Sequence, residues 1–276
     1  LTARAAGRWI RAYLIVNTSL IAAGPVSGPG AAAAKGAAVA AVVEAEGLVV
    51  DPDQSGPGWS FALGEGLSLL RGGREGFHTL LSLVLAGRAK PHGGMLRVTA
   101  PDGRELKTPR ARFKEVALAG VPQLDSLERE VAVRTVVREQ LAWSLPFYRW
   151  VPRNVASHPR VAAALEAAGI EPDLDGKVGS LHPLDRLSLR VALALVARPE
   201  AALLVVDDVD QLRDLELRDE ALRRLSRLAH RLPVVALSVN GDPAGIAARV
   251  IDLRGEGDEP GDDAEPAAAG EGRHAK

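Results

Sequence analysis

The stretch that most constrains the fold is an apolar run ending in two carboxylates, residues 203–208, with the sequence Leu-Leu-Val-Val-Asp-Asp. An uninterrupted apolar run is typical of a strand buried on both faces, as the strands of parallel sheets are. Acidic residues directly after such a strand lie at the carboxyl edge of the sheet, where open α/β folds bind ligands. We predict an apolar helix before the run (183–197), an amphipathic helix after it (219–231) and a further strand (234–239). This order indicates an α/β core with a mostly parallel sheet.

The amino-acid composition excludes several classes of function. The chain has 276 residues, of which 47% are hydrophobic, so it is long enough for one large α/β domain or a core with a subdomain. It has no Cys, which excludes disulfides, thiolate metal sites and cysteine nucleophiles. A formal net charge of -1 and 4% aromatic residues argue against a nucleic-acid partner.

The two ends of the chain differ from the middle. Residues 1–40 are rich in Ala and Gly after three early arginines, and the pattern loosely imitates a signal peptide. We prefer a poorly ordered leader, because the apolar part is too short and too polar for a spanning helix. Residues 255–276 are rich in Gly, Glu, Asp, Pro and Ala and are predicted to be a disordered acidic tail. The folded domain is therefore expected over residues 41–254.

Within that domain, hydrophobic periodicity and turn residues place the elements. The region 124–182, with Arg- and Glu-bearing helical segments, is predicted to be an inserted helical subdomain in which Ser157 caps a helix over 161–168. The charged residues 101–114 are predicted to form a loop. A glycine-rich turn at 71–79 is expected before a helix over 80–88. Strands are predicted over 42–50 (with a turn at Gly47), 59–63, 67–70, 95–99 and 115–119.

The strand, turn and helix around Gly76 suggest a phosphate-binding loop, which needs glycines and a helix N-terminus. The full pattern is G-x-x-x-x-G-K-[ST]. With Gly76 as its last glycine, Phe77 takes the lysine position and His78 the hydroxyl position, while Thr79 comes one residue late. The loop would keep its shape but lose its charge and its Mg²⁺-binding hydroxyl. Phe77 is expected to pack inward.

Nearby arginines are a second possibility at this loop. Arg71 and Arg74 could partly replace the missing lysine as phosphate contacts, or they are surface arginines of an Arg-rich chain. The arginines of 218–231 are predicted to lie on a solvated helix face. Asp208 and Asp210 are expected in a solvated turn and helix cap.

Taken with its context, the loop at 71–94 resembles that of the ATP-binding cassette (ABC) family, which reads G-P-x-G-x-G-K-S-T-L-L and is followed by a helix ending in L-A-G. Further blocks follow in the family's order. They resemble the family's Q-loop (121–123), its R-E-N-L stretch (138–141), the helix after its signature (190–194), its Walker B strand (203–208) and its closing strand (249–253).

The resemblance implies a P-loop NTPase (ABC ATPase-like) fold with a mostly parallel sheet, an antiparallel N-terminal β piece and an inserted helical subdomain. It implies a nucleotide-binding subunit of an ABC-type transport system at the cytoplasmic side of a membrane. Its partners would be an integral membrane permease subunit and a second ATPase, as a homodimer or a heterodimer with a competent copy. ATP and Mg²⁺ would be the cofactors. By the same resemblance, Asp207 would hold Mg²⁺, Asp208 would stand at the base position, and the nucleotide-binding residues would be Gly73, Arg74, Gly76, Phe77, His78, Thr79 and Gln123.

Several departures from the family accompany this resemblance. The signature L-S-G-G-Q is replaced by Pro-Leu-Asp-Arg-Leu at 183–187, so Asp185 would place an anion near a phosphate. Asp208 stands where the family has glutamate, which puts its carboxylate roughly 1.5 Å further from an attacking water. Val239 replaces the switch histidine, whereas Asp214 keeps the D-loop aspartate.

These replacements predict weak binding of Mg-ATP and negligible hydrolysis by the isolated chain. Two hypotheses stay open. One is a transport subunit, in which a competent partner supplies the missing groups. The other is a pseudo-ATPase scaffold or regulatory partner that no longer binds ATP.

Overall fold

Two sheets form the framework of the chain. The computed structural model describes residues 42–54, 57–73, 77–122 and 124–254, so the predicted leader and acidic tail lie outside it. The strands of the described residues are β1 (Val43–Val49), β2 (Trp59–Leu63), β3 (Leu67–Arg71), β4 (Gly93–Val98), β5 (Val116–Ala119), β6 (Leu203–Val206), β7 (Val234–Ser238) and β8 (Arg249–Asp252). The helices are α1 (His78–Leu85), α2 (Pro109–Glu115), α3 (Val133–Ser144), α4 (Pro159–Ala167), α5 (Pro183–Ala197) and α6 (Leu215–Leu228). Short 3₁₀ turns lie at Val155–Ser157, Val178–Ser180 and Val209–Gln211.

The larger sheet is parallel, with the strand order β5-β6-β7-β3-β8. The smaller sheet is antiparallel, with the order β2-β1-β4. The predicted α/β fold class is confirmed. Because β3 and β6 both pair with β7, the segments that follow these three strands meet at one edge of the parallel sheet.

The core lies on both faces of the parallel sheet. In β6, Leu204 and Val206 pack with residues of α3, α4, α5 and α6. Leu203 and Val205 point the other way and pack with α1 and the antiparallel sheet. All four side chains are fully buried. Burial on both faces is the reason that this strand has no polar alternation.

The prediction of a loop over 101–114 is wrong, because residues 109–115 form α2. Thr108 caps this helix by accepting a hydrogen bond from the Ala111 N–H at 3.2 Å, and Pro109 occupies the first turn. The charge that suggested a loop is partly buried: Arg112 is 1% exposed. Its guanidinium donates to carbonyl oxygens of Val84, Leu96, Leu106 and Lys107. Burial lowers the pKa of Arg112 to about 10.

Two local predictions need correction here. His158, not Ser157, caps α4 by accepting from the Arg160 N–H at 3.3 Å. The Ser157 hydroxyl donates to the Asn154 carbonyl at 2.8 Å and closes the preceding 3₁₀ turn instead. Gly47 has a φ of 57° and lies at a register shift, so β1 continues through it as a bulged strand rather than turning.

The amphipathic helix α6 begins at Leu215, four residues before the predicted start at 219. Asp214 caps it by accepting from the backbone N–H groups of Glu216 and Leu217 at 2.8 and 3.2 Å. Region 124–182 holds α3, α4 and two 3₁₀ turns. Both helices pack against α5. Among the described helices, none is long and apolar enough to cross a membrane.

Candidate nucleotide-binding site

The candidate site begins at the carboxyl end of β6 with Asp207, which is fully buried. Its backbone N–H donates to the Ala119 carbonyl of β5 at 2.8 Å. The Thr79 hydroxyl, in the first turn of α1, donates to Oδ2 of Asp207 at 2.9 Å. The second oxygen, Oδ1, is buried and has no hydrogen-bond partner within the described part of the chain. Buried carboxylate oxygens normally accept a hydrogen bond or bind a cation, and this oxygen accepts no hydrogen bond from the described residues.

The electrostatics of Asp207 agree with that geometry. Burial, together with repulsion by the carboxylates of Asp208 and Asp125, raises the pKa of Asp207 to about 7. The hydrogen bond from Thr79 lowers the pKa, because it stabilises the charged form. A cation placed at Oδ1 would therefore relieve both the missing contact and the unfavourable charge.

The loop after β3 is shaped by close contact between Gly72 and His78. The Gly72 N–H donates to the Ser238 carbonyl at 3.1 Å, and a Cβ on Gly72 would lie 2.0 Å from Nε2 of His78. That nitrogen is buried and has no partner among the described residues. Burial lowers the pKa of His78, although Asp208 and Asp210 raise it. The ring is therefore neutral at pH 7 and supplies no positive charge. Gly73 follows, half-buried.

The lysine position of the loop carries no charge. Phe77 is half-buried and packs against the core cluster of α1 and the antiparallel sheet, in the inward orientation that was predicted. Arg71 is engaged elsewhere: its Nε donates to the Val239 carbonyl at 3.2 Å and its guanidinium pairs with Asp252 at 3.4 Å. Arg74, Gly76 and Gln123 lie outside the described residues, and their roles stay predictions.

Asp208 adopts a left-handed backbone conformation, with φ 48° and ψ 72°. It is the only non-glycine residue with positive φ in the described ranges, and such a conformation costs of order 1–3 kcal/mol. Its carbonyl accepts from Nε2 of Gln211 at 2.9 Å, and Oε1 of Gln211 accepts from Arg190 at 2.6 Å. Burial and then repulsion by Asp210 raise the pKa of Asp208. A half-buried carboxylate with a raised pKa is suited to accept a proton.

Asp210 connects the end of β6 to the end of β7. Its Oδ2 accepts from the Ser238 hydroxyl at 2.7 Å and from the Val239 N–H at 2.6 Å, and its Oδ1 accepts from Nδ2 of Asn240 at 2.9 Å. Nε of Arg218 lies 3.4 Å from Oδ1, and Arg218 also donates to the Gly241 carbonyl. Val239, which the resemblance places at the switch position, is thus held by Asp210 through its backbone N–H.

This arrangement corrects two predictions. Asp210 is not in a solvated turn, and Arg218 is not on a solvated face, because its side chain is only 2% exposed. The sequence held a signal for Arg218. It lies at helical spacing from the buried Ala221, Leu222 and Leu225, so it belongs to the apolar face of α6.

Comparison with known proteins gives the architecture its name. No protein-family model matches the chain. The chain is 30% identical over 187 residues to the Nod factor export ATP-binding protein I of Burkholderia orbicola (strain AU 1054), a match that covers 67% of this chain and 57% of that protein. The chain thus spans little more than half of that relative. Among solved structures, cbiO1 from Clostridium perfringens, part of the ABC transporter complex cbiONQ, superposes with a TM-score of 0.58 at 15% identity, over 77% of this chain and 84% of that one.

A second solved structure, an ATP-binding cassette of an ABC transporter, has a TM-score of 0.60 at 14% identity and covers 77% of this chain and 87% of its own. The fold is that of an ABC ATP-binding cassette. In that fold, the resemblance assigns the Walker B position to Asp207 and the phosphate loop to residues 71–79. The observed pairing of Asp207 with the first turn of α1 joins these two parts.

The cassette retains donors that fit Mg²⁺. The free Oδ1 of Asp207 and the Thr79 hydroxyl are hard oxygen ligands, which Mg²⁺ prefers. No group of three or more His, Cys, Asp or Glu side chains suited to a metal lies in the described ranges. Mg²⁺ is usually held by one or two carboxylates together with substrate phosphates, so these two residues fit it as part of a nucleotide complex. The hydroxyl next to Asp207 belongs to Thr79, one residue later than the motif count indicates.

The segment at the signature position is neutralised from within the chain. Asp185 lies in the first turn of α5, where a carboxylate interacts favourably with the helix dipole. Arg224 of α6 pairs with it at 2.8 Å and also donates to the Ser188 hydroxyl at 3.1 Å. The start of α5 therefore already carries an anion of its own, with a cation to match it.

Proposed function

We propose that this chain is the nucleotide-binding subunit of an ABC-type transport system, with weak or absent ATP hydrolysis. It would bind Mg-ATP at the loop 71–79 and Asp207, at the cytoplasmic side of a membrane. An integral membrane permease subunit would be its partner, and a second ATPase copy would complete the site. The observation that carries the proposal is the Thr79–Asp207 contact of 2.9 Å with its free, buried carboxylate oxygen. The likeness to a protein named as a Nod factor export ATP-binding protein supports the transport role.

The chain's own residues set what the site does. Thr79 and Asp207 would orient the cation and the phosphate oxygens next to it. Phe77 packs against the core but has no positive charge. It cannot stabilise the negative charge that develops on the phosphate during hydrolysis, and such electrostatic stabilisation is usually a large part of catalysis. Asp208 would accept a proton from water, but its short side chain is placed by a left-handed backbone. Both features favour binding over turnover.

The alternative is a pseudo-ATPase scaffold or regulatory partner. The Asp185–Arg224 pair favours it, because the Asp185 carboxylate already occupies the first turn of α5 and Arg224 is paired with it, so this helix start offers no free positive charge to a phosphate of a second copy. A heterodimer with a competent ATPase would be compatible with both candidate functions. The partner would hydrolyse ATP at its own complete site, and this chain would serve as the second subunit.

A nucleotide titration separates these possibilities. Labelled ATP is titrated, with and without Mg²⁺, into the unchanged chain, Phe77→Lys and the matched control Phe77→Leu. We expect weak, Mg²⁺-dependent binding by the unchanged chain, no gain in Phe77→Leu, and at least tenfold tighter binding in Phe77→Lys, which is about 1.4 kcal/mol.

Each contrary result is informative. Absence of binding in all three proteins would remove the nucleotide-binding proposal and leave the scaffold. Steady turnover by the unchanged chain would remove the claim of weak hydrolysis. Binding that does not depend on Mg²⁺ would contradict the role given to Asp207 and Thr79.

A further inference from the structure

The end of α3 and the segment that follows it present four aromatic side chains to solvent. Trp143 is 76% exposed, Phe147 90%, Tyr148 69% and Trp150 95%. The whole chain has only four Trp, two Tyr and four Phe, so four of its ten aromatic residues lie in this segment. We call residues 143–153 the aromatic loop. Large exposed apolar patches mark interaction sites, and a concentration of this kind needs an occupant.

Along the sequence, the charged residues of the aromatic loop and of the residues next to it have one sign. Residues 140–165 contain no Asp or Glu, although the chain has 35 acidic residues in all. They contain Arg149, Arg153 and Arg160. Arg149 and Arg153 are exposed, and neither has an acidic partner in the ranges that the structure describes. A surface that pairs aromatic rings with unneutralised arginines is complementary to an anionic partner.

The aromatic loop is held in place from the protein side. Leu145, between Trp143 and Phe147, and Val151, directly after Trp150, are partly buried against the core. Arg138 of α3 donates to the Pro152 carbonyl at 3.0 Å, and Arg160 of α4 donates to the Ser144 carbonyl at 3.3 Å. These anchors mean that little ordering is needed on binding, which favours affinity.

The side-chain chemistry favours a membrane surface over a protein. Trp and Tyr are enriched at the bilayer interface, where one end of the ring is apolar and the other is wet. Arginines near an anionic leaflet are attracted to its lipid phosphates. Phe147 and Trp150 are almost fully exposed and adjoin Arg149, so apolar rings and a cation lie side by side, as they do at a bilayer interface.

We propose that the aromatic loop binds directly to the surface of an anionic lipid bilayer. Its rings enter the interfacial layer, and Arg149 and Arg153 contact lipid phosphates. This goes beyond the proposed function, which needs a permease but no lipid contact. The two are tested separately, because the aromatic loop contributes none of the residues assigned to ATP.

The test uses the full chain with two kinds of vesicle, pure phosphatidylcholine and phosphatidylcholine mixed with phosphatidylglycerol. Binding is measured by co-sedimentation and by the tryptophan emission maximum. We expect the chain to bind the mixed vesicles with a blue shift of emission. Binding should be at least tenfold weaker on pure phosphatidylcholine and should fall as salt is raised.

Two variants and a control separate the contribution of the aromatic rings from that of the arginines. Phe147→Ser with Trp150→Ser should abolish binding, and Arg149→Gln with Arg153→Gln should remove the preference for anionic vesicles. Met95→Ser, at another exposed apolar side chain on β4, should bind as the unchanged chain does. Circular dichroism and ATP titration check that each variant is folded, which is expected because the altered side chains are exposed.

Several results would overturn the proposal. One is no binding of the unchanged chain to mixed vesicles at low salt, which would leave a protein partner as the occupant. Another is binding that survives in the Phe147/Trp150 variant. Equal binding to both vesicles would refute the role of the arginines. Self-association in the absence of lipid that is lost in the Phe147/Trp150 variant would assign the aromatic loop to a second copy of the chain.

Discussion

The hydroxyl of Thr79 lies 2.9 Å from Oδ2 of Asp207, and this contact joins residues 128 positions apart. It stabilises the charged carboxylate, so Thr79→Val should raise the pKa of Asp207 above its value of about 7. We expect Mg²⁺-dependent ATP binding to weaken about tenfold at pH 7.5, which corresponds to about 1.4 kcal/mol. Thr79→Ser keeps the hydroxyl and should behave as the unchanged chain. Equal binding by the Val and Ser variants would exclude the hydroxyl from the site.

The raised pKa of Asp207 gives a signed pH dependence. Because the pKa is higher in the folded chain (about 7) than its ordinary value of 3.8, the unfolded chain binds fewer protons between these values, and stability falls as pH rises through this window. Asp207→Asn removes that contribution. The free energy of unfolding of Asp207→Asn relative to the unchanged chain should therefore be lowest near pH 4, increase towards pH 7 and level off above it. Each pKa unit corresponds to about 1.4 kcal/mol.

Chemical denaturation at a series of pH values, without Mg²⁺, measures this difference. Other titrating groups cancel because they are common to both proteins. A difference that is constant from pH 4 to pH 8 would show that Asp207 is already ionised in the folded chain at low pH.

The Asp210–Arg218 contact should be important for stability. Asp210→Ala leaves the guanidinium of Arg218, 2% exposed, without its carboxylate, and breaking a buried pair in this way costs about 3–5 kcal/mol. Asp214→Ala is the matched control: it removes only the exposed N-cap of α6, which costs about 1 kcal/mol. Thermal or urea unfolding compares the two. Similar losses in both variants would mean that Asp210 does not hold the segment after β7.

Gly120 is required where β5 ends. Its φ is 86°, and a Cβ there would lie 2.3 Å from the Asp207 carbonyl oxygen. Its N–H also donates to Asp125 at 2.6 Å. Gly120→Ala should destabilise the chain by about 1–3 kcal/mol and displace Asp207, which would weaken Mg²⁺-dependent binding as well. Gly103 offers a control, since it has a similar φ of 80° but nothing lies near its Cβ position. Gly103→Ala should therefore lose stability through φ alone and leave ATP binding unchanged.

Much of the fold could be predicted because its signals are local. The run at β6 reads as a strand buried on both faces, and the glycine-rich turn before α1 reads as a loop between a strand and a helix. The helix α2 could not be read in this way. Its charged residues imitate a loop, and Arg112 is accommodated only because carbonyls of α1, of β4 and of the residues just before α2 converge on it.

Some residues of the candidate site could also be predicted from local sequence, and others could not. Asp207 is recognisable from its place after β6, and Phe77 from the lysine position that it occupies. Asp210 and Arg218 were misread as solvated, because their burial depends on the loop after β7, which lies far away in the chain.

The sequence by itself determined the order of the strands and of the helices other than α2, the carboxylates at the end of β6 and the residue types at 77 and 183–187. These depend on residue type and on neighbours along the chain. Only the tertiary structure decided that Thr79 supplies the hydroxyl to Asp207, that Oδ1 of Asp207 is left without a partner and that Arg224 neutralises Asp185. Hydrogen bonds and charge burial are set by distances in space, and packing brings these atoms together from segments far apart in the chain.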